Sequence, residues 1–280
     1  MANESTYSDI SSLVGNVYAV AVHTARDFNI MAPLVSTWRD LNDSRPRIFA
    51  EYSGGTFGTL AETADASSQA FTPSAAGTAT PALYSQQIFL TDRRVKTDPM
   101  AARNEAGTHL GQTAAAHVDT TLCGTAIFGG FTGGTVGTAA GTLTWGSILY
   151  ASALLRKNKV PQPYHCVLTP LMWYYLNSPS SGIPSLMVVN DIATGVLGQF
   201  YQGSFSGINF FVDANIPTST AGTAAMFNPQ AVYLDMRAPF SIEPQRDASR
   251  GGGGWELNAT MEYVGGIWRP TFGCRLIGVS

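Results

Sequence analysis

Charge is what this sequence has least of. Asp, Glu, Lys and Arg together make up 12 % of its 280 residues, about half the share usual in a soluble domain. Lysine is the scarcest of the four, present only as Lys96, Lys157 and Lys159. Residues 120–155 carry no charged side chain, and between Lys159 and Asp235 the only charges are Asp191 and Asp213. A free surface so poor in charge is weakly protected against association, so much of it is expected to be covered by neighbouring chains. The formal net charge of −3 excludes a broad electrostatic attraction to nucleic acid or to an anionic membrane. Cys123, Cys166 and Cys274 are odd in number, far apart and without a C-x-x-C spacing. That excludes a disulfide framework and a zinc site, and it points to buried thiols in a reducing compartment. No apolar run is long enough to cross a membrane. No charged-then-apolar leader precedes the first helical pattern, so folding in the cytosol is expected.

The motifs of common chemistries are missing as well. No glycine-rich turn is followed by Lys-Ser or Lys-Thr, so there is no phosphate-binding loop. Gly203-Ser204-Phe205-Ser206-Gly207 lacks the central serine of a nucleophile elbow. Glu105 and His109 stand one helical turn apart, but no third ligand follows at that spacing, since His117 falls off the face. They read as a helix-surface pair. His23 and His165 are isolated and read as structural. Neither an enzyme activity nor a cofactor or metal is expected.

What the chain does have is a long arm and a long helix. Residues 8–28 place Ile10, Leu13, Val14, Val17, Ala21, Thr24 and Phe28 at helical spacing. Strands are expected over 47–52 and 84–90, forming the two sides of a ribbon with an irregular tip. The intervening 53–82 has only Glu62 and Asp65 as charges and too few large apolar residues to bury a face of its own. Such a segment must rest on something outside its own domain. Asp98-Pro99 then starts a helix expected to run to about Phe128, where Gly129-Gly130 ends it. Gly107 and Gly111 thin one face of it, as a helix lying against a sheet requires. Further on, the patterns predict a helix over 145–157, a strand over 164–169, a helix over 171–177 and a helical turn over 195–200. Strands follow over 206–212, 231–237 and 239–246. The clearest strand is 255–263, where Trp255, Leu257, Ala259, Met261 and Tyr263 alternate with polar residues. Gly251–Gly254 links it to its partner. Arg93-Arg94-x-Lys96, at the base of the arm, reads as an intersubunit salt-bridge cluster.

The most specific stretch is C-terminal: Phe240-Ser241-Ile242-Glu243, Arg246, Trp255–Thr260 and Tyr263-Val264-Gly265-Gly266-Ile267-Trp268-Arg269-Pro270. Together with Cys166–Pro170 and Gly207–Val212, and in this order behind the arm and long helix, it resembles the major capsid protein of tailed double-stranded DNA bacteriophages. That is the Johnson-type capsid fold, and the likeness covers nearly the whole chain.

The resemblance implies an α+β phage major capsid fold. Its parts are an N-terminal arm and helix (1–45), an extended β-ribbon loop (46–92), a peripheral domain with spine helix and long strands (93–143 and 228–280), and an axial domain (144–227). It implies a structural protein that self-assembles into pentamers and hexamers, forming an icosahedral head shell around double-stranded DNA held without sequence reading. The host bacterial cytoplasm would be the place of assembly and the virion capsid the destination. Intersubunit contacts are expected at Arg45, Arg47, Glu62, Asp65, Arg93, Arg94, Lys96, Arg246 and Arg250. Residues 47–90 contain no lysine, so the isopeptide weld of some members should be absent and the shell noncovalent. With the first helix near residue 8, a fused scaffolding segment is not expected; a separate scaffolding protein, a portal and decoration proteins are possible partners. An encapsulin-type nanocompartment shares the fold. A tail-tube or surface-binding β protein is the reading a non-helical 99–128 segment would favour.

Overall fold

The computed structural model describes residues 17, 19–21, 29–39, 45–52, 59, 62, 73–97, 99–139, 141–178, 201–217, 222–249 and 252–279. In chain order the strands are β1 (Ser36–Arg39), β2 (Arg47–Tyr52), β3 (Pro73–Ala79), β4 (Ala82–Thr91), β5 (Thr135–Gly137), β6 (Tyr164–Leu168), β7 (Tyr201–Phe205), β8 (Ile208–Val212), β9 (Gly222–Phe227), β10 (Val232–Asp247), β11 (Gly254–Ile267) and β12 (Gly273–Gly278). The helices are α1 (Asp92–Thr97), α2 (Pro99–Leu122), α3 (Thr125–Phe128), α4 (Trp145–Lys157) and α5 (Pro170–Leu176). Three sheets result: β1-β10-β11-β4, β5-β12-β9-β6-β8-β7, and the ribbon β2-β3.

The spine helix α2 buries Ala106, Leu110, Ala114, Val118 and Leu122, a stripe at four-residue spacing that keeps one side of a 3.6-residue helix inward. Its first half packs on Leu90 of β4, Ile242 of β10 and Leu257 and Ala259 of β11, with Val17 and Ala21. Its second half enters a larger core with Ile30, Met31, Phe211, Phe227 and Leu234. The helix therefore joins the two main sheets. It stops at Leu122, short of the expected Phe128, because Gly124 takes an extended conformation (φ −55°, ψ 153°). The redirected turn α3 then points Ile127 and Phe128 into the core, where Phe128 meets Phe131 at 6.1 Å and Phe227 at 6.2 Å between ring centroids.

Gly107 does lie close to a neighbour, but that neighbour is the N-terminal helix. A Cβ there would stand 2.8 Å from the Val17 carbonyl oxygen and 3.2 Å from the Val20 Cβ. Of the helix expected over 8–28, residues 17 and 19–21 are described and helical. The turn expected over 195–200 lies outside the described residues.

The arm ribbon also differs from expectation. The strand returning beside β2 is β3, with Arg47 opposite Ala79 and Tyr52 opposite Pro73. The segment read as the return, 84–90, belongs to β4, which pairs antiparallel with β11 along its whole length. A second difference concerns 231–237 and 239–246, which form one strand of 16 residues. Pro239 is accommodated because the register against β11 shifts between Met236 and Ala238 and again between Ala238 and Ser241, and bulges tolerate a residue without an N–H.

The six-stranded sheet is covered on one face by α4 and α5, through Ile148, Ala151, Leu155, Met172 and Leu176. Thr144 caps α4 by accepting the Ser147 N–H, and Thr169 caps α5 by accepting that of Met172. Ser206 (φ +53°) and Gly207 (φ +80°) turn β7 into β8, the two positive φ values that a two-residue hairpin turn needs. The predicted strand start at Ser206 is therefore a turn. All three cysteines are buried and free.

Candidate assembly surfaces

The arm leaves the body at an aromatic knot. Trp38 of β1, Phe49 of β2, Tyr233 of β10 and Trp268 converge, with Phe49 and Tyr233 ring centroids 4.6 Å apart and Trp38 at 5.0 Å from Phe49 and 5.2 Å from Trp268. Beside it, fully buried Asp235 accepts from Arg47 Nε at 3.1 Å and from Arg237 Nη2 at 2.8 Å. Arg47 also lies over the Trp38 ring at 5.5 Å. Thus the first residue of the ribbon is bonded to the long strand that crosses the body. Beyond this root the ribbon presents Ile48, 73 % exposed. Arg45 just before it is exposed, as is Glu62 further out.

The tip of the long β10–β11 hairpin is tied to the foot of the spine helix. Arg246 holds both carboxylate oxygens of Asp92, at 3.1 and 2.8 Å, and lies over the Trp255 ring at 5.3 Å. The guanidinium beside Asp92 holds that carboxyl below its ordinary range. The Asp92 N–H also donates to the Gly253 carbonyl at 3.1 Å, and Gly253 takes φ +96°. Arg94 pairs with Glu105 of the spine helix, so the Glu105–His109 pair expected from spacing is replaced by an ion pair across α1 and α2. Of the basic cluster at the base of the arm, Arg93 and Lys96 are exposed and have no carboxylate partner among the described residues. Asp65 and Arg250 lie outside the described residues. Arg47, Arg94 and Arg246 are thus engaged within the chain, and the geometry brings Arg94, Arg246 and Asp92 to one corner.

A further surface was not foreseen. Leu149 and Tyr150 on α4, and Leu171 and Tyr174 on α5, are large apolar side chains that face outward. The sequence signal was there in the absence of charge over 120–155, but only the helix register separates their side from the buried one.

Two of the described histidines are held among aromatic rings. His117 Nδ1 is hydrogen-bonded to the Tyr263 hydroxyl, and the Tyr84 ring lies tilted at 4.5 Å from the His117 ring. Tyr84 and His117 border a cleft of about 240 Å³ between β4, β11 and the spine helix, lined also by Gln86 and Met261. His165 lies between Phe211 and Phe227, and burial pushes its pKa down to about 4. Among the described residues no group of His, Cys, Asp and Glu could hold a metal ion, and no helix is long and apolar enough to cross a membrane.

The described residues thus combine a long helix laid on two long paired strands, a two-stranded ribbon and a six-stranded sheet. Residues 75–276 match the family described as phage capsid protein. The chain belongs to this family. Its function is that of a structural, shell-forming major capsid protein, and its α+β architecture is the Johnson-type capsid fold. No curated relative matches the chain. Among solved structures, one from Mycobacterium phage Che8 is 17 % identical, with a TM-score of 0.62 over 84 % of this capsid protein and 85 % of that chain. The capsid of Ralstonia phage GP4 is 11 % identical, with a TM-score of 0.64 over 88 % and 87 %. A virus-like particle from Pyrococcus furiosus is 10 % identical, with a TM-score of 0.62 over 94 % and 98 %. Residues 99–122 are helical, the reverse of what a tail-tube β protein would show.

Proposed function

We propose that this capsid protein assembles into pentamers and hexamers that close an icosahedral head shell around phage double-stranded DNA. The observation that carries this reading is the arm: a ribbon with its own root but no core of its own, on a member of a capsid family. In this reading the arm and helix of residues 1–45 and the extended loop of 46–92 lie across neighbouring copies. The axial domain, 144–227, meets its copies around five- and six-fold centres through the outward Leu149 and Tyr150 of α4 and Leu171 and Tyr174 of α5. The peripheral parts, 93–143 and 228–280, meet at local three-fold contacts, where Arg93, Lys96 and the hairpin tip supply charge. The protein acts by assembly rather than catalysis and needs no cofactor. Many modest contacts sum to a stable shell, and closed rings shelter surface that a monomer would expose. With no lysine in residues 47–90, these contacts are noncovalent. A separate scaffolding protein, a portal and decoration proteins are the further partners, and assembly takes place in the host bacterial cytoplasm.

Negative-stain electron microscopy of the chain expressed alone, with light scattering, tests this. Closed shells, or pentamers and hexamers, are expected. A monomer of 29.7 kDa that persists when a candidate scaffold is added would overturn the reading. Shells filled with a specific cargo enzyme would favour a nanocompartment, the alternative that the likeness to the P. furiosus particle keeps in view.

A further inference from the structure

Two carboxylates lie where three parts of the molecule meet, with no cation paired to them among the described residues. Asp119, in the last turn of the spine helix, is fully buried. Its two oxygens accept the backbone N–H groups of Ile30 and Met31, each at 3.0 Å. Asp213, directly after β8, is also fully buried; it accepts the Asn215 N–H at 2.7 Å and the Cys123 thiol at 3.4 Å. Asn215 stands beside both carboxyls, and its lowering effect on them is smaller than the raising effect of burial. Around them stand Ile30, Met31, Val118, Leu122, Phe211 and Ile216 of the largest core.

The titratable groups facing this cluster are few. Cys123 follows Asp119 by one helical turn, and burial together with the two carboxylates pushes its thiol up, so it is neutral. Tyr263 of β11 is pushed up to about 12, chiefly by burial, and is neutral too. The entering segment brings Asn29, whose side chain accepts the Ala32 N–H. Neither Asp119 nor Asp213 forms an ion pair with a lysine, arginine or histidine among the described residues. Two carboxylates that feel one another in a low-dielectric core cannot both ionise cheaply. Each carboxyl is raised by its burial, and the Asp213 charge adds to the rise at Asp119.

We propose that Asp119 and Asp213 form a proton-operated joint that fastens the N-terminal segment to the spine helix and to the end of the axial sheet. With one proton shared, Asp119 keeps its grip on the amides of residues 30 and 31. When that proton leaves, two like charges stand in the core, and the least anchored of the three parts is released. That part is the entering segment, fixed here by two backbone hydrogen bonds and the burial of Ile30 and Met31, whereas the helix and sheet have ladders of their own. Burial raises both carboxyls, that of Asp119 to about 7. A raised carboxyl contributes most to stability in acid and loses that contribution as pH rises through its folded value. The joint is therefore closed below neutrality and opens above it. This inference concerns the subunit itself and holds whether or not the capsid protein forms shells unaided.

Hydrogen exchange of the purified full chain, followed at residues 29–32 between about pH 5 and 9 and corrected for intrinsic rates, reads the joint directly. In the wild type, protection of these amides should fall at least about tenfold above neutrality, one ionisation's worth of differential interaction. In Asp213→Asn, which removes the second charge but leaves Asp119 buried, the fall should be clearly smaller than in the wild type. Protection that is flat with pH in the wild type, or that falls equally in Asp213→Asn, overturns the proposal. Should that variant fail to fold, infrared titration of the wild type decides. A carboxylic-acid C=O band that survives at about pH 6 and disappears on further rise supports the shared proton; its absence there sinks it.

Discussion

The six-stranded sheet and the arm ribbon are both built from short strands, yet they solve the problem of burial in opposite ways. The sheet has a core on each face: Cys166, Phe210, Met226 and Cys274 point to α4 and α5, while Val167, Phe211, Ala225 and Phe227 point to the spine helix side. Among its described residues the ribbon buries Phe49 and Ala79 at its root, packed on Tyr233. A two-stranded ribbon is at best marginal in water without such packing. The sheet thus keeps its shape alone, and the ribbon keeps only its point of departure. In an assembly, the first can serve as a wall and the second as a strap.

The sharpest way to break this comparison is to remove the strap. Replacing residues 51–77 by a short glycine linker spares Phe49 and Ala79, and the body should melt as before. Shell formation should be lost outright by electron microscopy; normal shells would show that the ribbon is dispensable. Next in size is a cavity in the wall. Phe210 is fully buried, between Trp145 and Trp173 at 5.5 and 5.9 Å, so Phe210→Ala should cost about 3–5 kcal/mol in denaturant unfolding. A loss under about 1 kcal/mol would mean that the site collapses without penalty. The smallest effect probes the packing of the N-terminal helix on the spine helix, outside both regions. Gly107→Leu would push the spine helix off Val17 and Val20, and overpacking should cost about 1–3 kcal/mol. Unchanged melting would show that the N-terminal helix yields freely there.

Periodicity carried the sequence reading furthest where one face is buried and the other is not. The helix over 145–157 and the alternating strand at 255–263 lie where the pattern puts them, because Ile148, Ala151 and Leu155, and likewise Leu257 and Ala259, face cores. Strands β9 and β12 were missed because both their faces are covered and their residues are small: Gly-Thr-Ala-Ala-Met-Phe and Gly-Cys-Arg-Leu-Ile-Gly offer no alternation. The arm was legible as an arm, but its pairing was not. Which strand returns beside β2 depends on β11 having claimed β4, a contact between residues far apart in the chain. The candidate charges show the same limit. Spacing placed Arg94 near the base of the arm, yet its partner Glu105 and the Asp92–Arg246 fork belong to tertiary structure. Asp119 and Asp213 were visible only as isolated acids in uncharged stretches, and what they hold is set by backbone amides that no motif announces.

The two register shifts in β10 have a geometric consequence. Between the pairings Met236–Tyr263 and Ser241–Thr260, β10 spends two more residues than β11. A strip whose one margin is longer than the other cannot lie flat; it must arch toward the shorter margin, and bulged strands bend and coil in this way. The arc is drawn by residue count along the chain, before any neighbour arrives. Whatever docks against the two halves of this hairpin meets planes already inclined to each other.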